Sequence, residues 1–137
     1  MTSMPINPAT PPASPSEAPR DAGDERGLPS PAIGRVRALN DALRRSFIGG
    51  QVVETPGVVA LPEAERVALL FAVRRFDQFD AGNDPHGEHD FGAVEVGAAR
   101  YFWKIDAYDQ ALAGHSPDPA DPGVTTRVLT IMRADEY

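Results

Sequence analysis

The chain has 137 residues, 13 basic against 20 acidic, for a formal net charge of −7 and no cysteine. That length fits one domain and excludes a (β/α)₈ barrel, which needs about 250 residues. The missing cysteines exclude a disulfide scaffold, thiol catalysis and Cys-ligated zinc or iron–sulfur sites. The acidic balance argues against direct nucleic-acid binding, which works through a basic face. With a mean hydropathy of −0.31, no apolar run approaches the roughly 18 residues of a membrane span.

Eight of the 14 prolines precede residue 32, and residues 1–29 carry almost no large apolar side chains. Such a leader cannot bury enough surface to offset its ordering entropy, so it is expected to be disordered, with one α+β domain over 30–137. It has no basic start followed by an apolar stretch, and no twin-arginine or lipidation pattern, so the expected address is the cytoplasm. Ser30-Pro31 looks like a helix start, with a capping hydroxyl before a first-turn proline. Ile33, Val36, Leu39, Leu43 and Phe47 recur at helical spacing, with Arg35, Arg37, Arg44 and Arg45 largely off that stripe. Gly49-Gly50 is expected to end the helix. Residues 51–55 read as a short strand closed by a Pro56-Gly57 turn.

A second helix is expected over 62–78. Its apolar residues Val67, Leu70, Phe71, Val73 and Phe76 spread wider than one stripe, which predicts the most buried helix. Ala81-Gly82-Asn83-Asp84-Pro85 breaks it and opens a polar loop. Phe91–Val96 and Arg100–Asp106 alternate as two strands around a Gly97-Ala98 turn, with Tyr101, Trp103 and Ile105 on one side. A Pro/Asp loop over 115–123 leads to a near-continuous apolar strand, Thr126–Met132, expected at the centre of the sheet. The order α-β-α-β-β-β predicts a small, mainly antiparallel sheet of about four strands with two helices packed on one face.

Charge is concentrated between Phe76 and Asp121, where ten acids face only Arg100 and Lys104 and all three histidines fall. A stretch this negative suits a divalent cation, a basic protein surface or a cationic ligand, although a solvated acidic face would look the same. The candidate binding residues are Asn83, Asp84, His86, Glu88, His89, Asp90, Asp106, Asp109, Asp118 and Asp121. Metal binding is the sharpest chemical reading. His86-x-x-His89 with Asp84, Glu88 or Asp90 gives the two-His, one-carboxylate set of catalytic zinc and facial-triad iron sites, and Zn²⁺, Mn²⁺ or Mg²⁺ would be the cofactor. Gly87 and Pro85 keep it from being a helical H-E-x-x-H motif. Glu88, Asp106 and Lys104 are the catalytic candidates, although Lys104, the sole lysine, sits among carboxylates that favour a salt bridge. The bland alternative is an Asx turn at Asn83-Asp84-Pro85 and histidines bonded to loop carbonyls. Thr125, Thr126 and Arg127 could contact an anion, with capping and solvation as the simpler reading. No phosphate loop, dinucleotide fingerprint or nucleophile elbow is present.

Four segments, Asn83–Gly92 (NDPHGEHDFG), Trp103–Asp106 (WKID), Ser116–Pro122 (SPDPADP) and Arg127–Met132 (RVLTIM), occur here in one order. In this the chain resembles a family of small bacterial proteins of unknown function sharing NDPHGEHDFG-, WKIDYYD-, SPDPADP- and RVLTIM-like segments. The resemblance covers roughly 33–137 and implies no activity. Ala107 departs from it, standing where the WKIDYYD-like segment carries a tyrosine. Two functions follow as expectations: an accessory or regulatory binding module that offers its acidic His/Asp loop to a basic protein surface, or a metal-dependent hydrolase built on His86, His89 and a carboxylate.

Overall fold

A computed structural model describes residues 31–137. The expected disordered leader and the Ser30 cap lie outside the described residues. Residues Arg35–Tyr137 form one unit. The elements are α1 (Pro31–Ser46), β1 (Gln51–Glu54), α2 (Pro56–Val59), α3 (Glu63–Arg74), β2 (Phe91–Val96), β3 (Ala99–Tyr108) and β4 (Thr126–Arg133), with 3₁₀ turns at Pro122–Val124 and Ala134–Glu136.

The strands form one sheet in the order β1-β4-β3-β2. The Gly97-Ala98 turn joins β2 and β3 into a hairpin, with Gly92 opposite Trp103 and Val94 opposite Tyr101. β3 then pairs antiparallel with β4 from Tyr101–Arg133 to Tyr108–Thr126. β1 lies parallel to β4, Val52 facing Leu129, so the α+β sheet is mixed but mostly antiparallel.

The period-2 alternation decides which face is dry. Tyr101, Trp103 and Ile105 of β3 and Leu129 and Ile131 of β4 point to one face, where Leu43 of α1, Val58 of α2 and Leu69 and Val73 of α3 close over them. Trp103 is fully buried at the centre, its ring edge-on to Phe76 at 5.5 Å and to Phe79 at 6.1 Å. Gly92 makes room for it, since a β-carbon there would sit 2.5 Å from the indole Nε1. The opposite face carries Phe91, Phe102, Lys104, Asp106 and Val128, and is covered by a ring only at one end, where Tyr137 packs on Phe91 and Phe102.

Several expectations need correction. Pro56-Gly57 opens the short helix α2 rather than a turn, because proline is pre-set for a first helical turn and Glu136 accepts from the Gly57 N–H at 2.8 Å. α3 stops at Arg74 instead of residue 78, and it is not the most buried helix: Val67 is 54 % and Phe71 55 % exposed, and only Leu69 and Val73 are buried. β4 is central in order, but its burial alternates from Thr126 to Ile131, and Met132 is the one residue buried on the other face. α1 ends at Ser46, three residues before Gly49, and Phe47 takes the left-handed conformation beyond it. Most consequentially, Arg44 is fully buried rather than off the packed stripe.

Candidate functional site

The acidic loop 84–90 is held by a polar stripe of α1. Arg37, Asn40, Asp41 and Arg44 follow one another at i, i+3, i+4 and i+7, which puts them on one side of a helix. Arg37 Nε donates to the Gly87 carbonyl at 2.6 Å and Asn40 Nδ2 to the Glu88 carbonyl at 2.9 Å. Asp41 accepts from Arg44 Nη1 at 2.8 Å and lies 2.9 Å from His89 Nδ1. Burial alone would raise the Asp41 pKa, but the hydrogen bonds from Arg44 and His89 outweigh it and leave the carboxyl below its ordinary value.

His89 is thereby tied to α1. Its φ of +54° is a left-handed conformation that a side chain rarely adopts. Three contacts hold it there: its backbone N–H donates to Asp84 Oδ1 at 3.1 Å, its ring stacks on Phe79 at 3.7 Å and 3°, and Nδ1 meets Asp41. Nε2 faces Asp84 Oδ2 at 3.6 Å, so both ring nitrogens are turned toward carboxylates. Gly87, also left-handed, brings the chain so close to α1 that a β-carbon would lie 2.9 Å from the Arg37 guanidinium.

Beneath the clamp is a cleft of about 210 Å³, lined by Val36, Asn40, Glu88, Asp90, Ile105, Asp106, Ala107, His115 and Pro119. Three carboxylates reach it. Glu88 has a raised pKa from burial first and then from the negative charges of Asp90 and Asp84, partly offset by His86 and Arg127. Asp90 is raised by burial, with Asp84 and Asp106 adding to it and a backbone hydrogen bond and His86 opposing. Among the described residues neither makes an ion pair, whereas Asp106 is held by Lys104 at 2.9 Å. Arg127 lies nearby, 3 % exposed, donating from Nε to Asn40 Oδ1 at 2.8 Å and from Nη2 to the Pro119 carbonyl. Burial lowers its pKa, opposed by the charge of Glu88.

The remaining sequence candidates fall elsewhere. Asn83 Oδ1 accepts from the Asp80 N–H at 3.0 Å and Asp84 Oδ1 from the His89 N–H at 3.1 Å, so neither makes the expected Asx turn; Asp80 makes it, its Oδ1 accepting from the Gly82 and Asn83 N–H groups. Asp109, Asp118 and Asp121 each accept a backbone N–H two to four residues on, from Ala113, Ala120 and Gly123. Lys104 is salt-bridged, and its hydrogen bond to Asp106 raises its pKa, which opposes the neutral amine a nucleophile needs. Thr125 bonds Ser116 and the Asp118 carbonyl, and Arg127 is packed inside rather than solvated. Among the described residues no group of three or more His, Asp or Glu side chains is placed to hold a metal ion. What the cleft offers chemically is negative charge and carboxyls that take up a proton more readily than usual.

Sequence reasoning missed Asn40, Asp41, Arg44 and the cleft-lining role of His115. The first three carried a signal, a polar stripe beside the apolar one; His115 carried none, since its position depends on the loop returning to Ala107 and Tyr108.

A family model described as "Protein of unknown function (DUF3768)" matches residues 54–136, from the end of β1 through the last 3₁₀ turn. The chain belongs to the DUF3768 family. The match takes in the acidic loop, the hairpin, the Pro/Asp loop and β4, while α1 with its clamping stripe precedes it. Comparison with curated proteins and with solved structures returned no match. Among the described residues no helix is long and apolar enough to cross a membrane.

Proposed function

We propose that this DUF3768 domain is a cytoplasmic accessory module that works by binding, accepting a cationic side chain of a basic protein surface in the cleft between Glu88, Asp90, Asp106 and His115. The observation that carries this reading is the pair Glu88 and Asp90: half-buried, side by side, and without a cation within ion-pair distance among the described residues. A buried like-charge pair is unfavourable until a counter-charge arrives, and an incoming ammonium or guanidinium would relieve both burdens at once. The sequence stretch 76–121 that supplies these carboxylates carries ten acids against two bases, a balance that favours approach of a basic surface. The metal-dependent alternative lacks this kind of support, because both ring nitrogens of His89 are turned to Asp41 and Asp84.

The test uses small mimics of basic side chains, n-butylammonium and ethylguanidinium, titrated into ¹³C-labelled protein. The carboxyl resonances of Glu88 and Asp90 should shift saturably, their pKa values should fall in the presence of the probe, and salt should weaken the effect. Carboxyl titrations that ignore both probes would sink the reading.

A further inference from the structure

The geometry points to a second binding site, the outer edge of β2, which we propose accepts an extended, basic segment of a partner protein as a fifth strand. β2 ends the sheet, so one side of its backbone has no neighbouring strand. Which groups face outward follows from the register. The Ile105 N–H donates to the Asp90 carbonyl at 2.9 Å, so the pair just ahead of Phe91–Lys104 is hydrogen-bonded. Bonded pairs alternate in an antiparallel ladder, so Gly92, Val94 and Val96 bond to β3, and Phe91, Ala93 and Glu95 point their N–H and C=O outward. Among the described residues nothing accepts from or donates to those three.

A cleft of about 510 Å³ runs along this edge. Its walls come from both faces of the sheet: Phe76, which packs on Trp103 on the helix-covered side, and Phe102 and Tyr137 on the other. Phe91 and Ala93 line it as well, so the cleft lies against the stretch of β2 whose backbone faces outward. Open backbone donors and acceptors at 3.3–3.4 Å spacing call for a strand, with alternate side chains falling to either wall. Phe91, Phe102 and Tyr137 form an aromatic cluster with ring centroids 5.3–5.9 Å apart that would receive an apolar residue or the stem and charge of a Lys or Arg.

Charge selects the occupant. A second copy pairing through the same edge would bring two of the acidic 76–121 stretches together, like against like. Arg100, the one cation in the cleft, is offset by Glu95 at 3.7 Å. A net-positive foreign strand meets no such penalty. This site stands apart from the Glu88/Asp90 cleft, and neither proposal needs the other.

The probe is a fluorescein-labelled seven-residue peptide of alternating Lys and Val, compared by anisotropy with the same peptide methylated on alternate backbone nitrogens. Charge is identical in the two, so only edge pairing separates them. The methylated peptide should bind at least about tenfold more weakly, given about a kcal/mol per lost hydrogen bond. Ala93→Pro removes an outward N–H that carries no ladder bond and should weaken the unmethylated peptide to a similar extent. The Ala93 and Glu95 amides should gain hydrogen-exchange protection on binding. Equal affinity for both peptides, full binding by Ala93→Pro, or no binding at all would overturn the proposal. So would a concentration-dependent dimer in sedimentation that Ala93→Pro abolishes, because the occupant would then be a second copy. If Ala93→Pro fails to fold, the two peptides on the unaltered protein decide.

Discussion

Arg44→Ala tests whether the buried polar stripe holds the domain together. The guanidinium is fully buried, bonded to Asp41 at 2.8 Å and to the Phe76 carbonyl at 3.0 Å, and lies 5.3 and 5.2 Å from the Phe79 and Trp103 ring centres. Its Nε makes no hydrogen bond, so the side chain is not fully satisfied and its net worth is an open balance between burial cost and contacts. Truncation removes the charge, unpairs a carbonyl, leaves Asp41 with His89 alone and opens a void against the indole. Breaking a buried pair on one side costs about 3–5 kcal/mol. For a domain this size, with a urea dependence of about 1–1.5 kcal/mol per molar, the midpoint should fall by about 2–5 M. Trp103 is the only tryptophan and lies against the removed group, so its fluorescence reports both the transition and the altered native environment. Arg44→Met, which refills most of the space without the charge, should lose only about 1–3 kcal/mol. An Arg44→Ala protein within about 1 kcal/mol of the parent would refute the reasoning and make the stripe a tolerated burial rather than a clamp.

Other substitutions probe the same structure from different sides. Glu88 has a folded-state pKa above its unfolded value, so the native state holds the proton more tightly and stability falls as pH rises through that interval. Glu88→Gln should therefore raise the urea midpoint at pH 7 and give no gain at about pH 3.5, where both states are protonated; a gain of equal size at both pH values would contradict the burial argument. Gly92→Ala places a β-carbon 2.5–2.8 Å from three indole atoms of Trp103 and should cost about 1–3 kcal/mol, with a shifted emission maximum. An unchanged spectrum and midpoint would show that the ring is free to move. Asn40→Leu strands the Arg127 Nε and the Glu88 carbonyl, and should lower stability by about 2–4 kcal/mol in chemical denaturation; a neutral effect would mean water replaces the amide.

Much of the fold was legible because it depends on periodicity. The alternation of Tyr101, Trp103 and Ile105 fixed a strand and its dry face, and the spacing of Val36 and Leu43 a helix. What was not legible depends on tertiary partners. Arg44 reads as a surface residue until Phe79, Trp103 and Asp41 surround it. Val67 and Phe71 read as core until the helix is seen to turn Leu69 and Val73 inward instead. At the candidate site, the density of acids and histidines pointed to the loop that borders the cleft, but the division of labour within it was hidden. Asp84 and His89 serve the clamp, Asp109, Asp118 and Asp121 serve their own turns, and Glu88, Asp90 and Asp106 line the cleft. No local spacing distinguishes a carboxylate that caps a turn from one that lines a cleft.

The place of β4 between β1 and β3 also governs when the domain can come into being. The β2–β3 hairpin closes locally, but β1 has no strand to pair with until Thr126–Arg133 has been made, about 75 residues later. On the ribosome β1 must wait with its backbone unpaired while the acidic loop and hairpin emerge, and sheet closure then proceeds in one late step across a long sequence separation. A chain stopped before residue 126 lacks the strand that joins β1 to the β2–β3 pair, so both are left without their central partner.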